Sequence, residues 1–178
     1  IPSDGEVYRA VDFGVRNPWA TLWVYRDRSG VFGADDALYV FREYYMTNRT
    51  TLDNGREMIR LSRNDPKAIV TVADSAGKDA RLILARELQI PTKASPKELG
   101  MNTMIGLVKE RLFVHADGKP RLFIFNSCTN LIQEMRKYRW SKTQGKDQPM
   151  KQDDHALDAL RYLIGYLSRY DKVNQNKR

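Results

Sequence analysis

Ala68-Ile69-Val70-Thr71-Val72-Ala73-Asp74 is a β-branched, almost wholly apolar run that ends on an aspartate. It shows no alternation of polar and apolar residues, which is the pattern of a strand covered on both faces and typical of parallel pairing. Its flanks agree with that reading. Leu52 to Arg63 before it predicts an amphipathic helix, with Met58, Ile59 and Leu61 among its apolar positions and Asn64-Asp65-Pro66 as the stop. Lys78 to Leu88 after it predicts another. Upstream, Val7 to Asp12, Ala20 to Arg26 and Leu38 to Tyr45 read as three strands, the last two joined by a turn over Asp27 to Asp36 that contains Ser29-Gly30. Short links make these three an antiparallel meander. Downstream come a short strand or loop over Pro91 to Pro96, a helix over Glu98 to Leu112, and a hairpin over Phe113 to Phe125 turning at Asp117-Gly118. A helix over Cys128 to Lys137, a polar, basic surface loop over Tyr138 to Gln152 and a long final helix complete the chain. The order predicts an α/β fold with a mixed sheet flanked by helices.

Composition bounds the function. A chain of 178 residues with 42% hydrophobic content can bury one substantial core, so residues 1–173 are expected to form one domain, with 174–178 as a polar, frayed C-terminal tail. Thirty Lys and Arg against 22 Asp and Glu give +8, a balance that suits a polyanionic partner such as nucleic acid. The single cysteine, Cys128, excludes an intrachain disulfide, and no Cys/His cluster has zinc spacing. A reducing, intracellular setting is the default expectation. No run approaches the roughly 20 apolar residues that span a bilayer, and no signal peptide is recognisable. The chain starts at Ile1 rather than Met, as a piece of something longer would.

Within this frame the aspartates stand out. Asp12 closes the first strand and precedes Phe13-Gly14, and Asp74 closes the fourth and precedes Ser75-Ala76-Gly77. If the first and fourth strands are neighbours, their carboxylates lie side by side. Near the C-terminus, Asp154-His155-Ala156-Leu157-Asp158-Ala159-Leu160-Arg161-Tyr162 puts Asp154, His155 and Asp158 within an arc of about 100°. A separate stripe of Leu157, Leu160, Ile164 and Leu167 supplies the packing face. Two such carboxylates about 4 Å apart repel by about 4 kcal/mol at an effective dielectric near 20. Either one protonates or a cation joins them. Mg²⁺ suits carboxylates, waters and phosphate oxygens, and a pair of ions can serve phosphodiester cleavage.

Each residue also has a plainer reading. Asp12 and Asp74 can simply end strands or cap turns. Asp153 is a candidate helix N-cap, and Asp154 a charge favoured by the positive helix end. Asp158 lies nearly opposite the leucine stripe, a position that periodicity assigns to solvent. Ser75-Ala76-Gly77-Lys78 matches only part of a phosphate loop, so no ATP site is expected.

Four ordered motifs resemble the C-terminal nuclease domain of the large terminase subunit of tailed bacteriophages, the motor that packages viral DNA. They are Val11-Asp12-Phe13-Gly14 with Asn17-Pro18; Val72-Ala73-Asp74-Ser75-Ala76; Cys128-Thr129-Asn130-Leu131 with Glu134 and Tyr138-Arg139-Trp140; and Asp154 to Tyr162. The resemblance implies an RNase H-like fold and a metal-dependent endonuclease acting on double-stranded DNA by in-line hydrolysis, leaving 3′-hydroxyl and 5′-phosphate ends. It makes Asp12, Asp74 and Asp158 metal-binding carboxylates, served by Mg²⁺ or Mn²⁺ as a pair of ions. His155 becomes a direct or supporting catalytic participant. Asp154 stands between metal ligand, proton acceptor and helix-end charge. The resemblance further implies an N-terminal ATPase domain absent from this chain, a portal and a small terminase subunit as partners, no membrane, and action in the host cytoplasm during phage assembly.

Lys93, Lys97, Arg136, Lys137, Arg139, Lys142, Lys146 and Lys151 flank the expected cleft in sequence and are candidates for DNA backbone contacts, although each alone reads as a solvated charge. Trp19, Tyr138 and Trp140 either stack on DNA or belong to the core. The 113–125 hairpin either gates the cleft or extends the sheet. Two other functions are consistent with these residues: another RNase H-like nuclease such as a junction resolvase, and a catalytically silent docking module of the packaging motor.

Overall fold

The computed structural model describes residues 2, 5–138 and 154–175. Within them six strands form one mixed sheet: β1 (Glu6–Asp12), β2 (Trp19–Asp27), β3 (Ala37–Met46), β4 (Val70–Ala73), β5 (Thr92–Ala94) and β6 (Leu122–Ile124), in the spatial order β5-β4-β1-β2-β3-β6. The meander β1-β2-β3 is antiparallel, whereas β4 runs parallel to β1, β5 to β4 and β6 to β3. The parallel pairing expected for the 68–74 run is therefore present, with β1 as its partner.

Among the described residues five α-helices cover the sheet: α1 (Thr51–Leu61), α2 (Lys78–Leu88), α3 (Met101–Leu112), α4 (Thr129–Lys137) and α5 (His155–Gln175). Thr50 caps α1 by accepting the Asp53 N–H at 3.1 Å, which satisfies one of the free donors of the first turn. The helix expected from Glu98 begins instead as a single 3-10 turn (Lys97–Leu99), and α3 starts after Gly100. Gly100 has φ +70°, a conformation that glycine adopts without a Cβ penalty. The final helix runs to Gln175, two residues into the stretch read as tail.

The alternation of side chains along each strand divides the core in two. On one face Tyr8, Ala10, Leu22, Val24 and Val72 pack with Leu131 of α4 and with Leu157, Leu160, Leu163, Ile164 and Leu167 of α5. On the other, Val11, Trp19, Trp23 and Ala73 pack with Met58 of α1 and Leu84 of α2. Trp19 belongs to this second core, its Nε1 donating to Thr21 Oγ1 at 2.8 Å, so it does not stack on DNA. Asp12 shares the parity of Tyr8 and Ala10, and Asp74 that of Val72. Both therefore project to the face that α5 covers.

The 113–125 segment is not a hairpin. Phe113 leaves α3 in an extended conformation, residues 115–119 close a local turn, and only Leu122–Ile124 joins the sheet, parallel to β3. The turn itself forms where Asp117-Gly118 predicts it, with Gly118 at φ +75° and Lys119 N–H bound to Asp117. The arm before it fails as a strand because Phe113 and Val114 are 71% and 56% exposed and have no sheet edge to join. The free edge of β3 is taken by β6 instead.

Candidate metal and nucleic-acid site

The register of β1 and β4 sets the two strand-end aspartates beside each other. Ala10 pairs with Val72 and Val11 with Ala73, so Asp12 and Asp74 are the next residues along two adjacent parallel strands. The loops that follow are packed together. A Cβ at Gly77 would collide with the Phe13 ring, and one at Gly14 with the carbonyls of Asn17 and Pro18. Asp74 is held by the Ala76 N–H at 2.9 Å. Ser75-Ala76-Gly77 thus acts as a turn closed on its own aspartate.

Helix α5 closes the cleft. His155 Nδ1 lies 2.9 Å from Asp12 Oδ2, and the Tyr162 hydroxyl donates to Asp12 Oδ1 at 3.4 Å. Asp158 Oδ1 stands 2.8 Å from Arg161 Nη2, yet this buried oxygen receives no hydrogen bond of proper geometry. Asp158 is therefore not solvated as periodicity suggested. Helix α5 packs against β1, β2 and β4 on one side and against α3 and α4 on others, which leaves its acidic arc facing the strand ends.

Electrostatics single out this cluster. Burial pushes the Asp158 carboxyl up to about 7; Arg161 opposes that shift, while Asp154 and Asp12 reinforce it. Burial also raises Asp12, with His155 opposing and Asp74 and Asp154 adding to the rise. His155 is raised by its hydrogen bond to Asp12, against the effect of its own burial. These carboxylates lack enough positive charge, which is the condition that a divalent cation would relieve. Among the described residues no group of three or more His, Cys, Asp or Glu is gathered at metal-holding spacing. Mg²⁺ does not require such a cage, since one or two carboxylates with waters and substrate phosphate suffice. The donor chemistry, together with the orphaned Asp158 Oδ1, fits a hard divalent ion held between the strand ends and α5.

The structure brings Asp12, Asp74, Asp154, His155 and Asp158 into one electrostatic neighbourhood, in which the charge of Asp154 acts on both Asp12 and Asp158. Of the basic candidates, Lys93, Lys97, Arg136 and Lys137 are exposed, while Arg139, Lys142, Lys146 and Lys151 lie outside the described residues, as do Trp140 and Asp153. Tyr138 is half-buried and packs against the α5 core.

Sequence reasoning gave no role to Glu134. It is 4% exposed on α4 and accepts the Leu157 N–H at 2.8 Å and the Tyr45 hydroxyl at 2.8 Å. Burial pushes its carboxyl up to about 7 despite these donors. A signal was present, because Glu134 continues the buried stripe of Leu131 at helical spacing, where an acid has no packing purpose.

No helix among the described residues is long and apolar enough to cross a membrane. A comparison with curated proteins finds no match. Among solved structures, the large terminase of the thermophilic bacteriophage D6E superposes with a TM-score of 0.74 at 20% identity over 92% of this chain. This chain spans 40% of the length of that protein. The P22 large terminase nuclease domain gives 0.72 at 21% identity, covering 96% of this chain and 84% of that one. The large terminase nuclease of the thermophilic phage G20c, with bound magnesium, gives 0.66 at 16% identity, covering 92% of this chain and 82% of that one. The same nuclease has also been solved with bound cobalt. Residues 9–167 match the family model described as the terminase RNaseH-like domain, and with the six-stranded mixed sheet and the placement of Asp12, Asp74 and Asp158 this identifies the chain as a member of that family, with the fold of a large terminase nuclease domain.

Proposed function

We propose that this domain is a metal-dependent endonuclease that hydrolyses the phosphodiester backbone of double-stranded viral DNA during genome packaging. The observation that carries the proposal is the charge imbalance at the strand ends: Asp12 and Asp74 on adjacent strands, Asp158 opposite them on α5, and two raised carboxyls among the three. Asp12, Asp74 and Asp158 would hold the ion or pair of ions, Mg²⁺ or Mn²⁺, with Asp154 at the margin. A relative of the same fold binds magnesium and also cobalt, which supports a divalent hard or borderline ion. When bound, such ions offset charge developing on the phosphate and favour the ionised form of a nearby water.

The side chains have separable tasks in this scheme. His155, with Nδ1 2.9 Å from Asp12 Oδ2, orients the carboxylate, and the Tyr162 hydroxyl engages the other oxygen. Arg161, with Nη2 2.8 Å from Asp158 Oδ1, offsets part of the charge of that carboxylate. Exposed Lys93, Lys97, Arg136 and Lys137 offer phosphate contacts without sequence choice, so binding weakens steeply with salt. The ATPase domain, portal and small subunit of a packaging motor are the proposed context in the host cytoplasm.

The rival reading, a catalytically silent docking module, draws on the Arg161–Asp158 pair and on the lack of a gathered three-donor group among the described residues. Incubation of supercoiled plasmid with Mg²⁺ or Mn²⁺, repeated with Asp74→Ala, separates the two. Nicked and linear products from the wild type and none from the variant are expected. Intact plasmid with both metals, or unchanged cutting by the variant, would overturn the nuclease proposal. Parallel assays on four-way junctions and RNA/DNA hybrids separate it from a resolvase or another RNase H-like activity.

A further inference from the structure

Two glutamates link the sheet to the cleft through helix ends. On β3, Glu43 and Tyr45 share one face of the strand. Glu43 accepts from the Asn130 N–H at 3.0 Å, Asn130 Nδ2 at 2.7 Å and the Leu131 N–H at 2.7 Å, and so caps the start of α4 from outside the helix. One turn later α4 presents Glu134. This side chain accepts the Leu157 N–H, with the Ala156 N–H also directed at it, while Tyr45 of β3 holds its other oxygen. The first-turn donors of α5 are thus satisfied by an acid from another helix, although Asp154 sits immediately before α5 and its own side chain is of a type that caps helices.

A buried carboxylate is a costly way to cap a helix, and a packed apolar residue at 134 would serve the α4 stripe better. Its location explains the choice. The two amides that Glu134 engages belong to Ala156 and Leu157, and the residues on either side of that pair are His155 and Asp158. Among the described residues, the first turn of α5 is tied to α4 through Glu134 and to β1 through the His155–Asp12 contact. The depth and rotation of the first turn, and with them the placement of His155 and Asp158 opposite Asp12, are set from β3 by way of α4.

We infer that Glu134, braced by Tyr45, is a positioning residue for the cleft, acting through the N-terminus of α5 and not on substrate. The inference rests on the nuclease reading. Glu134→Gln tests it, since the amide keeps the shape but cannot accept on both arms. Leu167→Val is the control, because Leu167 is wholly buried on the same helix two to three turns away and affects packing only. Mn²⁺ binding by electron paramagnetic resonance and plasmid cleavage are measured where circular dichroism shows each variant folded. Glu134→Gln is expected to raise the half-saturating Mn²⁺ concentration and to slow cleavage, each by about tenfold, the usual scale for residues that orient metal ligands. Tyr45→Phe, which removes only the hydroxyl, shifts both in the same direction by about threefold and carries the test if the glutamine variant does not fold. Leu167→Val changes neither by more than about twofold.

Wild-type Mn²⁺ binding and cleavage in Glu134→Gln or Tyr45→Phe, or equal losses in Leu167→Val, would overturn the inference while leaving the nuclease reading intact. A wild-type chain that neither binds Mn²⁺ nor cuts plasmid would overturn both.

Discussion

The two ends of α5 carry acidic clusters of similar composition and opposite electrostatic character. At the C-terminal end, Asp171 and Asp36 share the guanidinium of Arg26, which is 3% exposed, and Arg111 adds a second contact to Asp36 at 3.0 Å. Burial alone would raise Asp36, but Arg26 and Arg111 outweigh it and hold its carboxyl below the usual range. At the N-terminal end, Asp12 and Asp158 are raised, because burial and neighbouring carboxylates outweigh His155 and Arg161. The same side chain on the same helix is satisfied at one end and short of positive charge at the other. A satisfied cluster contributes to stability; a deficient one costs stability and persists where function needs it.

The largest expected effects follow from exchanging the roles of the two ends. Asp12→Asn should lower metal-dependent cleavage by about 10²–10³-fold, the scale for removing a charge-stabilising group from a preorganised site. Its melting temperature in EDTA should stay level or rise. Arg26→Met should do the reverse, lowering stability by about 2–3 kcal/mol, less than for a fully buried pair because Asp36 is 43% exposed on its side chain. Cleavage per folded molecule should be unaffected. Urea unfolding and plasmid assays on both variants check the contrast, and a stability loss in Asp12→Asn equal to that of Arg26→Met would remove it.

The pH dependence of the metal-free domain sharpens the comparison further. Asp158 titrates near 7 in the fold against 3.8 in the unfolded chain, so between those values the folded state holds a proton that the unfolded state has released. Stability therefore falls as pH rises through that window. Raised Asp12 acts in the same direction, and so does raised His155, whose stabilising charge is lost as pH climbs past its folded pKa. The depressed Asp36 acts oppositely but only in more acidic solution, below the ordinary carboxylate range. Urea unfolding in EDTA should show a more stable domain at pH 5 than at pH 8, with Asp158→Asn removing about 1–3 kcal/mol of the difference. Saturating Mg²⁺ at pH 8 should restore stability by mass action. Equal stability at the two pH values would show that the acidic end is balanced after all.

The contrast also explains what was legible in the sequence. The deficient site could be found because two apolar strands each stop on an aspartate, and parallel pairing of β1 with β4 then requires those residues to be neighbours. Asp158 was recognisable by motif but misplaced by periodicity. Helix α5 is packed by strands on one side and by helices on others, so Asp158, in its first turn opposite the leucine stripe, is still largely enclosed. The balanced cluster was invisible, since Arg26, Asp36, Arg111 and Asp171 are scattered along the chain and meet only in the folded state. Glu134 stands in a recognisable motif, but its task there is not legible because capping between helices has no local spacing. The 113–125 segment failed for a related reason: its turn chemistry is local, but which sheet edge stands free is a property of the whole fold.

The smallest effect separates geometry from charge. Gly77 carries no charge and touches no carboxylate, yet a Cβ there would strike the Phe13 ring, the residue next to Asp12. Phe13 packs edge-on against Trp19 with ring centroids 5.1 Å apart at the margin of the second core, so displacing its ring disturbs that packing and pulls on the strand end that carries Asp12. Gly77→Ala should therefore shift Asp12 relative to Asp74 without altering the charge of the site. Displacement of positioned catalytic groups by a fraction of an ångström to 1 Å reduces rates by up to about 10²-fold. A loss of about tenfold in cleavage is expected, with the pH dependence of metal-free stability unchanged. Phe13→Leu in the same chain relieves the collision and should recover part of the rate. If Gly77→Ala cuts at the wild-type rate, close packing of the two strand-end loops is not what sets the carboxylate spacing, and charge alone distinguishes the two ends of α5.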